Sequence, residues 1–252
     1  MKDKPEWMRR GWVYGVHNKP WKESANKPVP EKIDPRPWNP QNQRWMNYLR
    51  GMLAVDKSFG DISKCIRDME IDDNTIIIYG SDNGFFLGAH QRSDKRLMYE
   101  ESLRVPLIIK YPGHVKPGSK NSSLILNIDI APTIIELTGG KVPQEMQGTS
   151  LLPLMKNTEN DWRESFLYEY YQEAYAPGFV TAVGVRTKKY KYIEYPDMDN
   201  DINELYDLEN DPGEMNNLIN NPDYKEILTG MKARLEEQKK ETGYFDPDVY
   251  KE

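Results

Sequence analysis

Hydrophobic residues recur at three- and four-residue spacing in one early stretch of the chain. This spacing predicts an amphipathic helix over residues 43–69, because it places the apolar side chains on one face. That face comprises Trp45, Tyr48, Met52, Val55, Phe59, Ile62, Ile66 and Met69. The single cysteine, Cys65, lies near this face, and we expect it to be a buried packing residue.

Two short apolar runs follow this helix. Residues 75–79 are rich in β-branched side chains and lack polar alternation, which is typical of a strand buried on both faces in a sheet covered by helices. Residues 105–110 predict a second strand. A helix is expected from Asp129 to Leu137, where Gly139 and Gly140 end it. This succession of strands and helices predicts an α/β layer architecture.

The pattern changes after about Pro153. Residues 165–171, 180–186 and 190–195 predict strands, the last two joined as a hairpin, and residues 204–208 predict another short strand. A final helix is expected over residues 222–242. We therefore divide the chain into an α/β part, residues 1–153, and a small antiparallel sheet with a C-terminal helix, residues 154–252. Residues 1–42 are rich in proline and predicted to be irregular.

Composition narrows the classes of partner. Apolar residues make up 38% of the 252 residues, which is enough for a packed core. Lys and Arg number 34 against 40 Asp and Glu, a net charge of −6, so we expect no nucleic-acid partner. Since no apolar run is long enough to cross a bilayer, we expect no membrane partner. One cysteine permits no internal disulfide, so thiols leave the localisation open.

The candidate chemistry lies where the first predicted strand ends. Asp82 and Asn83 follow that strand, and ligands of open α/β sheets bind beyond the carboxyl ends of strands. A carboxylate beside an amide oxygen suits Ca²⁺ or Mg²⁺ better than zinc. Lys95, twelve residues after Asn83, can reach back to an anionic ester. Taken in isolation, residues 81–84 favour an ordinary turn, in which Asp82 caps backbone amides and Asn83 is left-handed, over a metal site.

The flanking runs resemble the sulfatase family. The resemblance lies in their order and spacing over residues 43–218. The runs are Tyr48-Leu49-Arg50, Ala54-Val55-Asp56, residues 94–109 beginning Asp94-Lys95-Arg96, residues 127–133, residues 148–153, residues 185–192, residues 204–208 and residues 211–214. The resemblance implies the C-terminal part of an alkaline-phosphatase-like α/β sandwich, followed by a small subdomain of antiparallel sheet plus helix.

The same resemblance implies roles for individual residues. Asp82 and Asn83 would bind a divalent cation, usually Ca²⁺, and Lys95 would contact the sulfate. His90 would contact the substrate or assist the leaving group, or else orient the loop. Arg96 would bind a sugar hydroxyl or carboxylate, or else form a structural ion pair. A divalent cation and an ammonium stabilise the charge that spreads over the sulfate oxygens in the transition state.

Part of the family's machinery is missing from the sequence. The nucleophile is a formylglycine made within Cys/Ser-x-Pro/Ala-x-Arg, and neither Cys65 nor any serine satisfies that pattern. The family's first aspartate pair is absent too. We therefore expect a sulfatase fragment that is inactive alone, with an N-terminal sulfatase half as its partner. The resemblance suggests that the whole enzyme is periplasmic or secreted. Glu100 and Arg104, four residues apart, predict a helical ion pair.

Three functions remain open at this point. A sulfatase acting on a sulfated sugar is favoured by the runs quoted above. A phosphate or phosphonate ester hydrolase of the same superfamily is the second; such relatives often have histidine where Asn83 stands. The third is a non-catalytic Ca²⁺-binding module at residues 197–201. There aspartates alternate as in an EF-hand, but Ile202 stands where glycine is needed and Leu208 where glutamate is needed.

Overall fold

The computed structural model describes residues 43–92, 94–156, 161–174, 176, 178–198 and 203–244. The proline-rich segment 1–42 lies outside these residues, and so does most of the acidic stretch, because residues 199–202 are not described. None of the helices within the described residues is both long and apolar enough to span a bilayer.

The predicted first helix is present as α1, Gln43–Asp68. Its apolar side chains, however, are exposed along most of its length, as at Leu53 with 71% of its surface accessible. Phe59 makes an edge-to-face contact with Tyr79, 5.6 Å between ring centroids. The prediction that Cys65 is buried is wrong, because the thiol lies on a stretch of α1 that no other described element covers.

The first two strands form a small sheet of their own. β1, Ile77–Gly80, pairs antiparallel with β2, Leu107–Lys110, so that Ile77 lies opposite Lys110 and Gly80 opposite Leu107. The prediction that β1 is buried on both faces is wrong: its residues are half-buried or exposed, and Ile108 on β2 is 61% accessible. Two strands alone leave both faces partly open unless helices cover them.

Short helices connect this sheet to the rest of the molecule. They are α2, Glu100–Leu103, α3, Ile130–Leu137, and α4, Leu152–Met155. Asp129, directly before α3, is fully buried and accepts one hydrogen bond from each of two Arg163 nitrogens at 2.8 Å. It also accepts the Thr149 amide at 2.8 Å. This carboxylate therefore joins three segments that are distant in the sequence.

The predicted antiparallel sheet is confirmed. Its strands pair in the order β3–β4–β5–β6. Their bounds are Ser165–Tyr170, Ala182–Thr187, Tyr190–Glu194 and Glu204–Asp207. The last helix, α5, Lys225–Thr242, ends at Gly243, whose φ of 70° is the left-handed conformation that favours glycine at a helix end.

Each face of the four-stranded sheet covers a different part of the chain. One face packs against α5 through Val183, Val185, Tyr192, Leu205, Met231 and Leu235. The other face packs against the loop after β1, and its cluster includes Phe86, Leu97, Met98, Tyr99, Ala182, Ile193 and Tyr206. A Cβ atom on Gly184 would overlap the sulfur of Met98, so the sheet and this loop meet where a side chain is missing. The sheet therefore supports the segment that carries the candidate chemistry.

Candidate functional site

The turn after β1 is fixed by its own hydrogen bonds. The Asn83 amide donates to Asp82 Oδ1 at 2.9 Å, and the Ser81 hydroxyl donates to the Asn83 carbonyl at 3.0 Å. The Gly84 amide donates to the Ser102 carbonyl at 2.8 Å, and a Cβ atom on Gly84 would overlap the carbonyl oxygen of Glu101. Glycine is therefore required because the turn lies directly against α2.

The structure brings Lys95 to the turn that carries Asp82 and Asn83. Lys95 Nζ donates to Asn83 Oδ1 at 2.8 Å across twelve residues of sequence, and Asp82 precedes Asn83 in the same turn. The loop between them is closed by two further hydrogen bonds. The Phe86 amide donates to the Asp94 carbonyl at 2.9 Å, and the Ser102 hydroxyl donates to the Lys95 carbonyl. We refer to Asp82, Asn83 and Lys95 as the acid–amide–lysine cluster.

Sequence reasoning missed a residue that positions this cluster. Asn127, in the turn before α3, donates from Nδ2 to the backbone carbonyl of Asp82 at 2.9 Å. The bond spans 45 residues and attaches the turn after β1 to the start of α3. The signal in the sequence was the run 127–133, which supported the resemblance without suggesting a role for Asn127.

His90 lies apart from this cluster in a buried position. Its ring lies 4.5 Å from the Tyr99 ring and 6.0 Å from the Phe86 ring, measured between centroids, and its φ is 50°. His90 Nε2 is 3.4 Å from Glu101 Oε2, an ion-pair distance. Burial raises the pKa of Glu101, but its contact with His90, a backbone hydrogen bond and the charge of Lys191 together outweigh it, and the pKa lies below its usual value. These contacts hold the loop between β1 and α2.

Arg96 is held by two carboxylates. Its Nε donates to Glu173 Oε2 at 2.5 Å and its Nη1 to Asp94 Oδ1 at 2.7 Å. The guanidinium also lies 5.7 Å from the centroid of the Phe179 ring. This arrangement corresponds to the structural ion pair that the sequence left open, and it attaches the loop to the segment after β3.

The predicted Glu100–Arg104 pair is wrong. Because α2 ends at Leu103, Glu100 turns instead to Arg186, with bonds of 3.0 and 2.9 Å, and to Lys191 Nζ at 2.9 Å. Lys191 is fully buried and also bonds Glu214 at 2.5 Å. Burial raises the pKa of Glu100, but its bonds with the two cations outweigh this and lower it to about 2. The pKa of Glu214 is raised instead, because the effect of burial exceeds the opposing effect of its contact with Lys191.

The oxygen atoms of the cluster are of the type that binds a calcium ion, although they are few in number. Asp82 offers an exposed carboxylate, and half-buried Asn83 an amide oxygen that here accepts from Lys95. Hard oxygen donors are what Ca²⁺ and Mg²⁺ prefer. Calcium takes about six to eight oxygen ligands, so two side chains make up only part of a site. Over the described ranges, no group of three or more His, Cys, Asp or Glu residues is placed to hold a metal.

Two family models match the chain. The sulfatase model matches residues 13–140, and the model of the C-terminal part of N-sulphoglucosamine sulphohydrolase matches residues 88–241. The two models overlap over residues 88–140, which include Lys95, whereas the sulfatase model alone matches Asp82 and Asn83. Together they include nearly all of the described residues.

Characterised relatives share this similarity. The N-acetylglucosamine-6-O-sulfatase of Bacteroides thetaiotaomicron is 41% identical over 210 residues, which is 82% of this chain and 38% of that protein. The human N-acetylglucosamine-6-sulfatase is 36% identical over 141 residues, 54% of this chain and 24% of that protein. The chain thus spans well under half the length of these relatives.

Solved structures agree with the sequence matches. BT4656, solved in complex with its substrate D-glucosamine-2-N,6-O-disulfate, has a TM-score of 0.74 and 41% identity, covering 78% of this chain and 40% of that one. A putative sulfatase from Bacteroides fragilis has a TM-score of 0.71 and 26% identity over 88% of this chain and 48% of that one. The predicted alkaline-phosphatase-like α/β fold class is confirmed, and the chain belongs to the sulfatase family.

Proposed function

We propose that this chain forms part of a sulfatase that hydrolyses the sulfate ester of a sulfated carbohydrate. One observation carries the proposal: Lys95 Nζ lies 2.8 Å from Asn83 Oδ1, beside Asp82, although twelve residues separate them in sequence. Asp82 and Asn83 would hold Ca²⁺, with Mg²⁺ as the alternative, and Lys95 would contact the sulfate.

The cluster would place the positive charge of Lys95 next to the sulfate oxygens of the ester. A sulfate ester develops negative charge on its oxygens as the bond to the leaving group breaks, and a fixed ammonium such as Lys95 stabilises that charge. A divalent cation, when bound, would add Lewis-acid stabilisation of the same oxygens. Asn127 keeps Asp82 in place through the backbone, and His90 holds the loop that carries Lys95.

The relatives support a carbohydrate substrate. Two are named for N-acetylglucosamine-6-sulfate chemistry, and one solved neighbour holds a disulfated glucosamine. The phosphonate monoester hydrolase of Agrobacterium radiobacter, at 25% identity and a TM-score of 0.66 over 77% of this chain and 40% of that one, supports the alternative less. Asn83 in place of histidine favours sulfate over phosphonate.

The chain needs residues beyond its own 252 for turnover. No Cys/Ser-x-Pro/Ala-x-Arg pattern occurs in the sequence, so nothing in it can supply the formylglycine nucleophile. We propose an N-terminal sulfatase half as the partner, attached or separate, and the exposed apolar face of α1 as part of the surface it covers. Exposed apolar patches of this kind mark contact sites between proteins.

A chimaera tests the proposal directly. This chain would replace the matched 210-residue region of the Bacteroides thetaiotaomicron sulfatase, and hydrolysis of N-acetylglucosamine-6-sulfate would be measured with Ca²⁺ present. We expect turnover, and we expect Lys95→Ala to lower kcat by about a hundredfold, as loss of one charge-stabilising group does. Lys120→Ala, at an exposed lysine outside the cluster, is the control.

The isolated chain provides the opposite arm of the test. We expect it to leave a chromogenic aryl sulfate intact and to bind Ca²⁺ weakly, because the cluster contributes only two of the ligands. Hydrolysis by the purified chain that disappears on Asp82→Ala would contradict this part. An unchanged kcat in the Lys95→Ala chimaera would contradict the role given to the cluster.

A further inference from the structure

A second polar cleft lies away from the acid–amide–lysine cluster. Its volume is about 630 Å³, and it is bounded by α4, the segment before β3, the turn between β4 and β5, and α5. Four cations line it, Arg163, Lys188, Lys189 and Arg234, against one carboxylate, Glu164. The residues that line this cleft therefore carry more positive than negative charge, although three carboxylates beside it, Asp129, Glu209 and Glu237, pair with three of the four cations.

Not all of these cations are equally available to a ligand. Arg163 is engaged by buried Asp129, so it forms the floor of the cleft. Lys189 pairs with Glu209 at 2.8 Å. Arg234 pairs with Glu164 at 3.3 Å and with Glu237 at 2.9 Å, and all three of these carboxylates are largely exposed. Exposed pairs of this kind contribute little, so a ligand anion can replace the carboxylate.

The turn that presents the lysines is rigid. Thr187 Oγ1 accepts the amides of Lys189 and Tyr190 at 3.3 and 2.9 Å, which fixes the backbone between β4 and β5. Lys188 projects from this turn and is exposed, and the described residues place no carboxylate within ion-pair distance of its ammonium. Two adjacent cations on a fixed turn suit an anion with several oxygens.

An aromatic ring completes the cleft. Trp162 is half-buried, and its indole nitrogen donates to the Leu124 carbonyl at 2.7 Å, which fixes the ring. The guanidinium of Arg163 lies 5.7 Å from the ring centroid. A fixed indole beside cations combines an apolar surface with charged groups, and sites with a few placed polar groups around an apolar surface bind small organic ligands.

We propose that this cleft is a second binding site for a sulfated saccharide, separate from the acid–amide–lysine cluster. Lys188, Lys189 and Arg234 bind the sulfate groups and Trp162 contacts the sugar ring. The choice of a saccharide rests on the proposed function, whereas the choice of an anion rests on the cleft alone.

Calorimetry on the full 252-residue chain tests this site without any catalysis. The probes are a heparin-derived tetrasaccharide, its desulfated counterpart and inorganic sulfate. We expect the sulfated tetrasaccharide to bind in a salt-sensitive manner, and the double variant Lys188→Glu/Lys189→Glu to weaken it by about tenfold or more. The double variant Lys141→Glu/Lys240→Glu, at two exposed lysines that do not line the cleft, changes the net charge by the same amount. It is the matched control and should change the affinity less than about twofold.

Several outcomes overturn the proposal. Equal weakening by the cleft variant Lys188→Glu/Lys189→Glu and by the control variant Lys141→Glu/Lys240→Glu would show that the effect comes from overall charge. Inorganic sulfate binding as tightly as the tetrasaccharide would make the cleft a site for an anion only. Loss of saccharide binding in Lys95→Ala would show that the saccharide binds at the acid–amide–lysine cluster and not in the cleft. Because none of these readouts is hydrolysis, they remain informative even if the chimaera proves inactive.

Discussion

The two-stranded and four-stranded sheets differ in how much of the described chain covers them. β3 to β6 are packed on both faces, by α5 on one side and by the loop after β1 on the other. β1 and β2 retain half-exposed residues, and α1 beside them exposes most of its apolar side chains. Burial of apolar surface is what stabilises an element, so the C-terminal sheet should hold its structure by itself. The stability of α1 should depend on contacts with residues other than those that the structure describes.

The largest difference in stability between the two regions is expected from the partners of Lys191, which lies on β5 of the four-stranded sheet. Glu214→Ala removes one of its two carboxylate partners and leaves a fully buried ammonium less compensated. We expect a loss of about 3–5 kcal/mol in the free energy of unfolding, the usual cost of breaking a buried ion pair. Denaturant unfolding measures it.

The control for this variant lies nearby on the surface. Glu209→Ala breaks the exposed pair with Lys189 and should change the free energy of unfolding by less than about 1 kcal/mol. A loss below about 1 kcal/mol in Glu214→Ala would show that Lys191 is not structurally dependent on its partners.

One substitution made in both regions sharpens the contrast. Leu235, on α5, has no accessible surface, whereas Leu53, on α1, is 71% accessible. Leu235→Ala should cost about 2–5 kcal/mol, because a buried leucine leaves a cavity. Leu53→Ala should stay within about 0.5 kcal/mol in the isolated chain, as exposed positions do. Equal costs, measured by denaturant unfolding, would mean that α1 is covered in solution.

The last prediction concerns how the stability of the chain changes at acid pH. The pKa of Glu100 is lowered to about 2 in the folded chain, against 4.5 ordinarily. A lowered carboxyl pKa contributes stability that is fully present above pH 4.5 and is lost as the pH falls towards 2. We expect Glu100→Gln to remove about 2 kcal/mol at pH 6 and much less at pH 2.5. A difference between variant and parent that stays constant across this range would contradict the assignment.

Local patterns in the sequence predicted the elements well. The spacing on α1, the hairpin of β4 and β5, and the α5 helix are all determined by residues close together in the chain. Lys95 was predicted to reach back towards an anionic ester near Asp82 and Asn83, and its ammonium does lie beside Asn83. These features need no knowledge of what lies across the fold.

Burial and long-range partners could not be predicted in the same way. Cys65 and β1 were expected to be buried because their apolar pattern indicates a covered surface, but the pattern does not contain the element that covers it. Asn127 reaches Asp82 across 45 residues, and Glu100 reaches Lys191 across 91. Charge and hydrogen-bond partners of this kind depend on the packing of separate elements.

The contact between Met98 and Gly184 has a consequence for motion at the candidate site. The loop that carries Lys95 is part of the cluster on one face of the four-stranded sheet, so lifting the loop exposes Phe86, Met98 and Tyr99 together. Segments packed in this way open in the same cooperative unit as the core beneath them. Loop and sheet would thus exchange their amide hydrogens at a common rate, and the lysine would keep its place for as long as the sheet remains folded.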